Sequence, residues 1–279
     1  MMAADKITLT RGYTRCRFGQ MHYLEGMPAD GAGRAPTLIL LHQNPSSAFE
    51  YEPLMKLMAT DRRVIAFDTP GYGMSDAPDG PLSIAQYSDA FADACDAMGL
   101  GADGPLDVFG FHTGTLLAAE LGLHRPDLVG RMVMCGVPWR TPEECAERLA
   151  AARNSPAATD DGEAILAQSA ALWNYVVTQR LPGIDLRRAV ALYAEKNKPL
   201  DRYWWAYDGV WSYPFAQRFP LITQPCLFPQ PDTALIEQSR AASEAVQNGR
   251  FAEMPPLQRD ILEVGIGPLA NVLRDFLTN

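Results

Sequence analysis

Four short, largely apolar runs constrain this chain more than any other feature. They lie at residues 37–41, 63–67, 106–109 and 128–135. A run without polar alternation suits a strand buried on both faces, as in a parallel sheet. The intervals have helical character. Ser46 and Ser47 can cap a helix running to about Thr60, and Ile84, Tyr87, Phe91 and Cys95 recur at helical spacing within residues 83–98. Residues 115–121 form a third such interval. Strand, helix, strand, helix is the rhythm of a mostly parallel central sheet flanked by helices. Ahead of it, residues 6–10, 13–17 and 21–24 predict an antiparallel start, with Arg11-Gly12 as the first turn.

The rhythm breaks at residue 137 and returns near residue 226. No strand is predicted over residues 137–219, where 143–153, 164–179 and 186–194 read as helices. An aromatic cluster follows: Tyr203, Trp204, Trp205, Tyr207, Trp211, Tyr213 and Phe215. Such a cluster is either packing or a pocket wall. An inserted cap needs a face toward the pocket, so Trp204, Trp205, Tyr207 and Trp211 are expected to line it. Strands at 226–228 and 250–254 and helices at 234–246 and 268–277 complete the chain. The expected organisation is a core over residues 1–136, a helical cap over 137–219, and the rest of the core over 220–279.

At 279 residues and 47% hydrophobic, the chain can build one large core. Its net charge of −9 argues against nucleic acid and anionic membrane surfaces, which favour basic faces. The five cysteines are widely spaced and contain no Cys-x-x-Cys, so neither a disulfide framework nor a zinc site is signalled. No apolar run nears the ~20 residues of a membrane span, and no signal peptide is evident. A cytoplasmic protein without a cofactor, acting on a small molecule, is the expectation.

Gly110-Phe111-His112-Thr113-Gly114 joins the third apolar run to the helix after it. It has the outline Gly-x-nucleophile-x-Gly, a strained turn that exposes its central side chain. Glycines flank such a turn because strand and helix approach too closely for side chains. Ser, Cys or Asp usually stands at the centre. Here it is His112.

Three further stretches fit the same frame: His42-Gln43-Asn44-Pro45, the run from Asp68 to Asp76 (D-T-P-G-Y-G-M-S-D), and Leu227 to Asp232 (L-F-P-Q-P-D). With the turn at His112, their order and spacing resemble the α/β-hydrolase superfamily, in its capped epoxide hydrolase and haloalkane dehalogenase arrangement. The resemblance covers about residues 6–278 and implies an α/β-hydrolase fold with an inserted helical cap. It departs from the family at Gln43 and Pro229, where glycine is usual.

The resemblance puts His112 at the nucleophile position and Asp232 at the acid position. It implies oxyanion donors at the Thr113 N–H and at Gln43 or Asn44. The family also needs a histidine near the C-terminus. The four histidines are His22, His42, His112 and His124, so Arg259 or Asp260 stands there instead. A Ser-His-Asp mechanism cannot run as usually drawn.

One reading is rearranged chemistry. His112 reaches into the gap left by the missing imidazole, Asp232 holds it and raises its pKa, and it acts as a general base. An ester, lactone or related carbonyl would be the target, or a proton in a lyase or isomerase reaction. The other reading is a catalytically inactive binding or sensing protein. Bracing the loop is the default role for His42, a surface position for His22, and a helix-end position for His124.

Overall fold

The computed structural model describes residues 7–31, 33–154, 162–199, 201–256 and 259–278. A hairpin of β1 (Leu9–Cys16) and β2 (Gly19–Gly26) opens the chain. The expected turn at Arg11-Gly12 is instead the middle of one continuous strand. Gly12 pairs with Tyr23, and a Cβ there would run into the Tyr23 ring. That glycine therefore makes room across the ladder rather than ending the strand. Lys6, expected in the first strand, lies outside the described residues.

Next come β3 (Leu38–Leu41), a 3₁₀ turn over Ala48–Tyr51, α1 (Glu52–Met58) and β4 (Val64–Phe67). The predicted single helix from Ser46 is thus split, and Ser47 caps its 3₁₀ portion by accepting the Phe49 N–H. Then follow α2 (Ile84–Ala97), β5 (Leu106–Phe111), α3 (Thr113–His124) and β6 (Val129–Cys135). A capping box between Ser83 and Gln86 starts α2, satisfying two donors that a helix N-terminus leaves free.

Between β6 and β7 the described residues form only helices and turns. These are α4 (Pro142–Arg153), α5 (Glu163–Trp173), a π-helical turn over Asn174–Thr178, α6 (Leu186–Asn197), α7 (Trp205–Trp211), α8 (Phe215–Arg218) and a 3₁₀ turn over Phe219–Leu221. The chain ends with β7 (Cys226–Gln230), α9 (Ile236–Ala245), β8 (Gly249–Glu253) and α10 (Ile266–Thr278).

The eight strands form one sheet in the order β1-β2-β4-β3-β5-β6-β7-β8. Only the pairings made by β2 are antiparallel. Every residue of β3, β4 and β5 is buried, as their mostly apolar runs require, with the one carboxylate, Asp107, paired to Arg62. One core lies under α2 and α3, the other under α1 and α10. At ~1.5–3 kcal/mol per buried large apolar side chain, these two layers dominate the stabilisation. β3 and β5 are adjacent and parallel, so their C-terminal ends bring the loop after Leu41 beside the turn at His112.

Candidate active site

Sheet geometry makes the turn at His112 tight. His112 has φ 49 and ψ −113, a backbone region that costs a non-glycine residue about 1–3 kcal/mol. A Cβ on Gly114 would collide with the Leu41 carbonyl, and one on Gly110 with the backbone of Gly114. The turn is pinned by the His112 N–H donating to Cys135 O at 2.9 Å and by the Thr115 hydroxyl donating to His112 O at 2.6 Å.

The imidazole of His112 lies on a cavity of about 270 Å³, near the low end of the ~300–1,000 Å³ usual for small-molecule sites. Its ring meets Phe111 edge-on with centroids 4.2 Å apart, and a Cβ on Gly136 would come within 3.3 Å of it. Among the described residues the ring has no hydrogen-bond partner. Burial, with a smaller contribution from the positive charge of Lys196, pushes its pKa down to about 4. The imidazole is therefore neutral at pH 7. The expectation of a raised pKa fails, because burial dominates and no carboxylate among the described residues engages the ring.

Asp232 does not reach His112. It is exposed and outside the cavity wall. Gln230, two residues earlier, is buried and takes the inward position. Its Oε1 accepts from the Gly136 N–H and the Ser239 hydroxyl, each at 2.9 Å, and its Nε2 donates to Thr233 Oγ1 at 2.8 Å. That clamp joins β7 to the residue after β6, leaving Asp232 on the outer side of the loop. Arg259 and Asp260 both line the cavity where the family's histidine was sought. Asp260 has φ 60 and pairs with Arg259 at 3.2 Å; burial nevertheless holds its carboxyl above the ordinary range.

The expected oxyanion donors separate as well. The Thr113 N–H, at the start of α3, has no acceptor among the described residues. The Gln43 N–H is committed to Glu50 Oε1 at 3.1 Å, and Gln43 Nε2 donates to Glu50 Oε2 at 2.9 Å. The Ser46 hydroxyl adds a third donor to Glu50 at 2.6 Å. A protein carboxylate thus sits on the group expected to receive substrate oxygen. Asn44 is buried outside the cavity wall, and both polar atoms of its side chain lack partners.

None of Trp204, Trp205, Tyr207 and Trp211 lines the cavity. Tyr207 donates to Asn44 O at 2.7 Å, and the guanidinium of Arg148 lies 5.2 Å over the Trp211 ring. Gly209 lets α7 sit against the backbone ahead of α2. Tyr207 and Trp211, the latter packed against the main core, help seat the helical insertion on the sheet layers. The rings that face the cavity are Phe111 and Tyr175, the latter on the π-helical turn that interrupts the predicted 164–179 helix.

The other histidines are structural. Thr69 N–H donates to His42 Nε2 at 2.9 Å, tying the β3 and β4 loops together. His22 is buried, not at the surface, because its Nδ1 meets Asp68 at 2.8 Å. Burial opposes the Asp68 carboxylate. The His22 hydrogen bond, with N–H donors from Ala48 and Met74, still holds its pKa below the usual carboxylate value. His124 closes α3 beside Asp89 and Glu120. Glu50, Lys196 and Tyr175 lie in no sequence motif, and Gln230 lies inside the stretch from Leu227 to Asp232, where the role went to Asp232 instead.

Among the described residues no cluster of His, Cys, Asp or Glu could hold a metal, and no helix is long and apolar enough to cross a membrane. All five cysteines are free.

Residues 36–198, more than half of the chain, match the family model described as the alpha/beta hydrolase fold. The (E)-2-((N-methylformamido)methylene)succinate hydrolase of Acinetobacter baylyi is 30% identical over 121 residues, 43% of this chain and 43% of that protein. Epoxide hydrolase 1 of Caenorhabditis elegans is 25% identical over 128 residues, 45% of this chain and 30% of that protein. The matches span under half the length of either relative. The enol-lactonase of Burkholderia xenovorans superposes with a TM-score of 0.80 at 19% identity, over 96% of this chain and 100% of that one. At that identity the likeness shows the fold alone.

Proposed function

The chain belongs to the α/β-hydrolase fold family, and on that premise we propose that it is a small-molecule enzyme of hydrolase type. Its substrate would be an ester, lactone or related carbonyl compound, held beneath the helical cap. His112 would act as general base toward water. One observation carries this reading: a neutral imidazole, strained into the family's nucleophile turn and without a hydrogen-bond partner among the described residues, on a cavity wall. A neutral imidazole can accept a proton at once, although a pKa of about 4 makes it a weaker base than one tuned to neutrality. The Thr113 N–H at the helix start would stabilise the oxygen that gains charge. The named activity of one relative, hydrolysis of a succinate derivative, supports the same reaction class.

Glu50 favours a second reading. With its carboxylate on the Gln43 N–H, the oxyanion site keeps one backbone donor of the expected pair. That suits proton abstraction in an isomerase or lyase better than a tetrahedral intermediate. Asp232, as an exposed residue, enters neither reading.

A panel of esters, lactones and epoxides should be turned over by wild type and lost about 10²–10⁴-fold in His112→Ala, the usual worth of a general base. Turnover that survives His112→Ala unchanged would sink the mechanism. Product isomerised rather than hydrolysed would decide for the second reading.

A further inference from the structure

Lys196 stands near the end of α6 with its side chain on the wall of the same cavity. An ammonium has three N–H donors. One of them reaches Pro45 O at 3.1 Å. Among the described residues no carboxylate oxygen lies within the 4.0 Å of an ion pair. Lys196 is half-buried, and a cation drawn partly out of water needs compensation.

The carboxylates around it are already engaged. Glu50 accepts from Gln43 and Ser46, Asp260 pairs with Arg259, and Glu263 is held by Arg188 at 2.9 Å. Burial lowers the Lys196 pKa by more than the fields of Glu50 and Asp260 restore it. An arriving anion would reverse that penalty. Lys196 is also close enough to His112 for its charge to bear on the imidazole. Apolar side chains, among them Val176, Ile184, Leu192 and Leu235, complete the wall.

Building on the reaction assigned above, we infer that the substrate is a small organic acid with an apolar body. Its carboxylate is bound by Lys196 Nζ while its reacting carbonyl faces His112. The site thereby selects acids over their neutral counterparts. Lys196 is a binding residue in this assignment and His112 remains the reacting one.

The test uses straight-chain carboxylates of increasing length, from propanoate to octanoate, each beside its primary amide. Binding is followed by calorimetry to wild type, Lys196→Met and His112→Asn. One charge-assisted hydrogen bond predicts that the best-fitting acid binds about 10- to 100-fold tighter than its amide. His112→Asn should keep that preference and Lys196→Met should lose it. A series in which no acid outcompetes its amide overturns the inference, whether or not anything binds, and that comparison needs only the wild type. A preference unchanged in Lys196→Met overturns it too. Turnover of neutral esters that depends on His112, without acid selectivity, would remove the carboxylate subsite and leave the reaction standing. Acid selectivity without His112-dependent turnover would do the reverse.

Discussion

Replacing His112 by Asn tests the environment of the imidazole directly. Asn tolerates positive φ better than most residues, so the strained turn is disturbed little, and the titrating group is removed. The imidazole pKa falls from 6.5 to about 4 in the folded chain. The unfolded chain therefore binds this proton first as pH drops, and stability rises with pH across that interval. The contribution is absent as a penalty above pH 6.5 and fully developed below about 4. At ~1.4 kcal/mol per pH unit, the interval corresponds to about 3 kcal/mol. Urea unfolding at a series of pH values from 4 to 8, for wild type and His112→Asn, isolates it from the other titrations. Wild type should lose about 3 kcal/mol relative to the variant as pH falls through that range. A flat difference would refute the shielded, unpartnered imidazole. Relative stabilisation of wild type at low pH would mean that a carboxylate holds the ring after all.

The same neutral imidazole predicts an acid limb of kcat/KM near pH 4 rather than near 6.5, measurable once a substrate is in hand. Asp232→Asn should leave turnover and stability within a few tenths of a kcal/mol of wild type, as expected of an exposed residue; a large loss in steady-state rate would return Asp232 to the site. Gly114→Ala should destabilise by more than about 3 kcal/mol in thermal or urea unfolding, since its methyl must displace the Leu41 backbone. Tyr175→Ala should alter KM while Trp211→Phe should not, because only the first of these rings lines the cavity.

The sequence by itself determined the framework. Largely apolar runs can be satisfied only between two helical layers, and the glycines at 110 and 114 only where backbone meets backbone, so sheet, layers and turn were legible from local pattern. The run from Asp68 to Asp76 also behaved as a structural unit, with Gly73 leaving room for the Asp68 carboxylate. What side chains do across long sequence separations was decided by the tertiary structure. Glu50 meets Gln43 because a 3₁₀ turn swings it back over the end of β3. Gln230 supplants Asp232 because it alone can join Gly136, Ser239 and Thr233. Lys196 enters the cavity from a helix whose sequence shows only an ordinary amphipathic pattern, and the tryptophans that looked like a pocket wall lie outside it, Trp211 packed instead against the core. Hydrophobic periodicity is a local signal. Hydrogen-bond partnership and the burial of a charge depend on which distant elements meet, and that is fixed only when the chain has closed around its sheet.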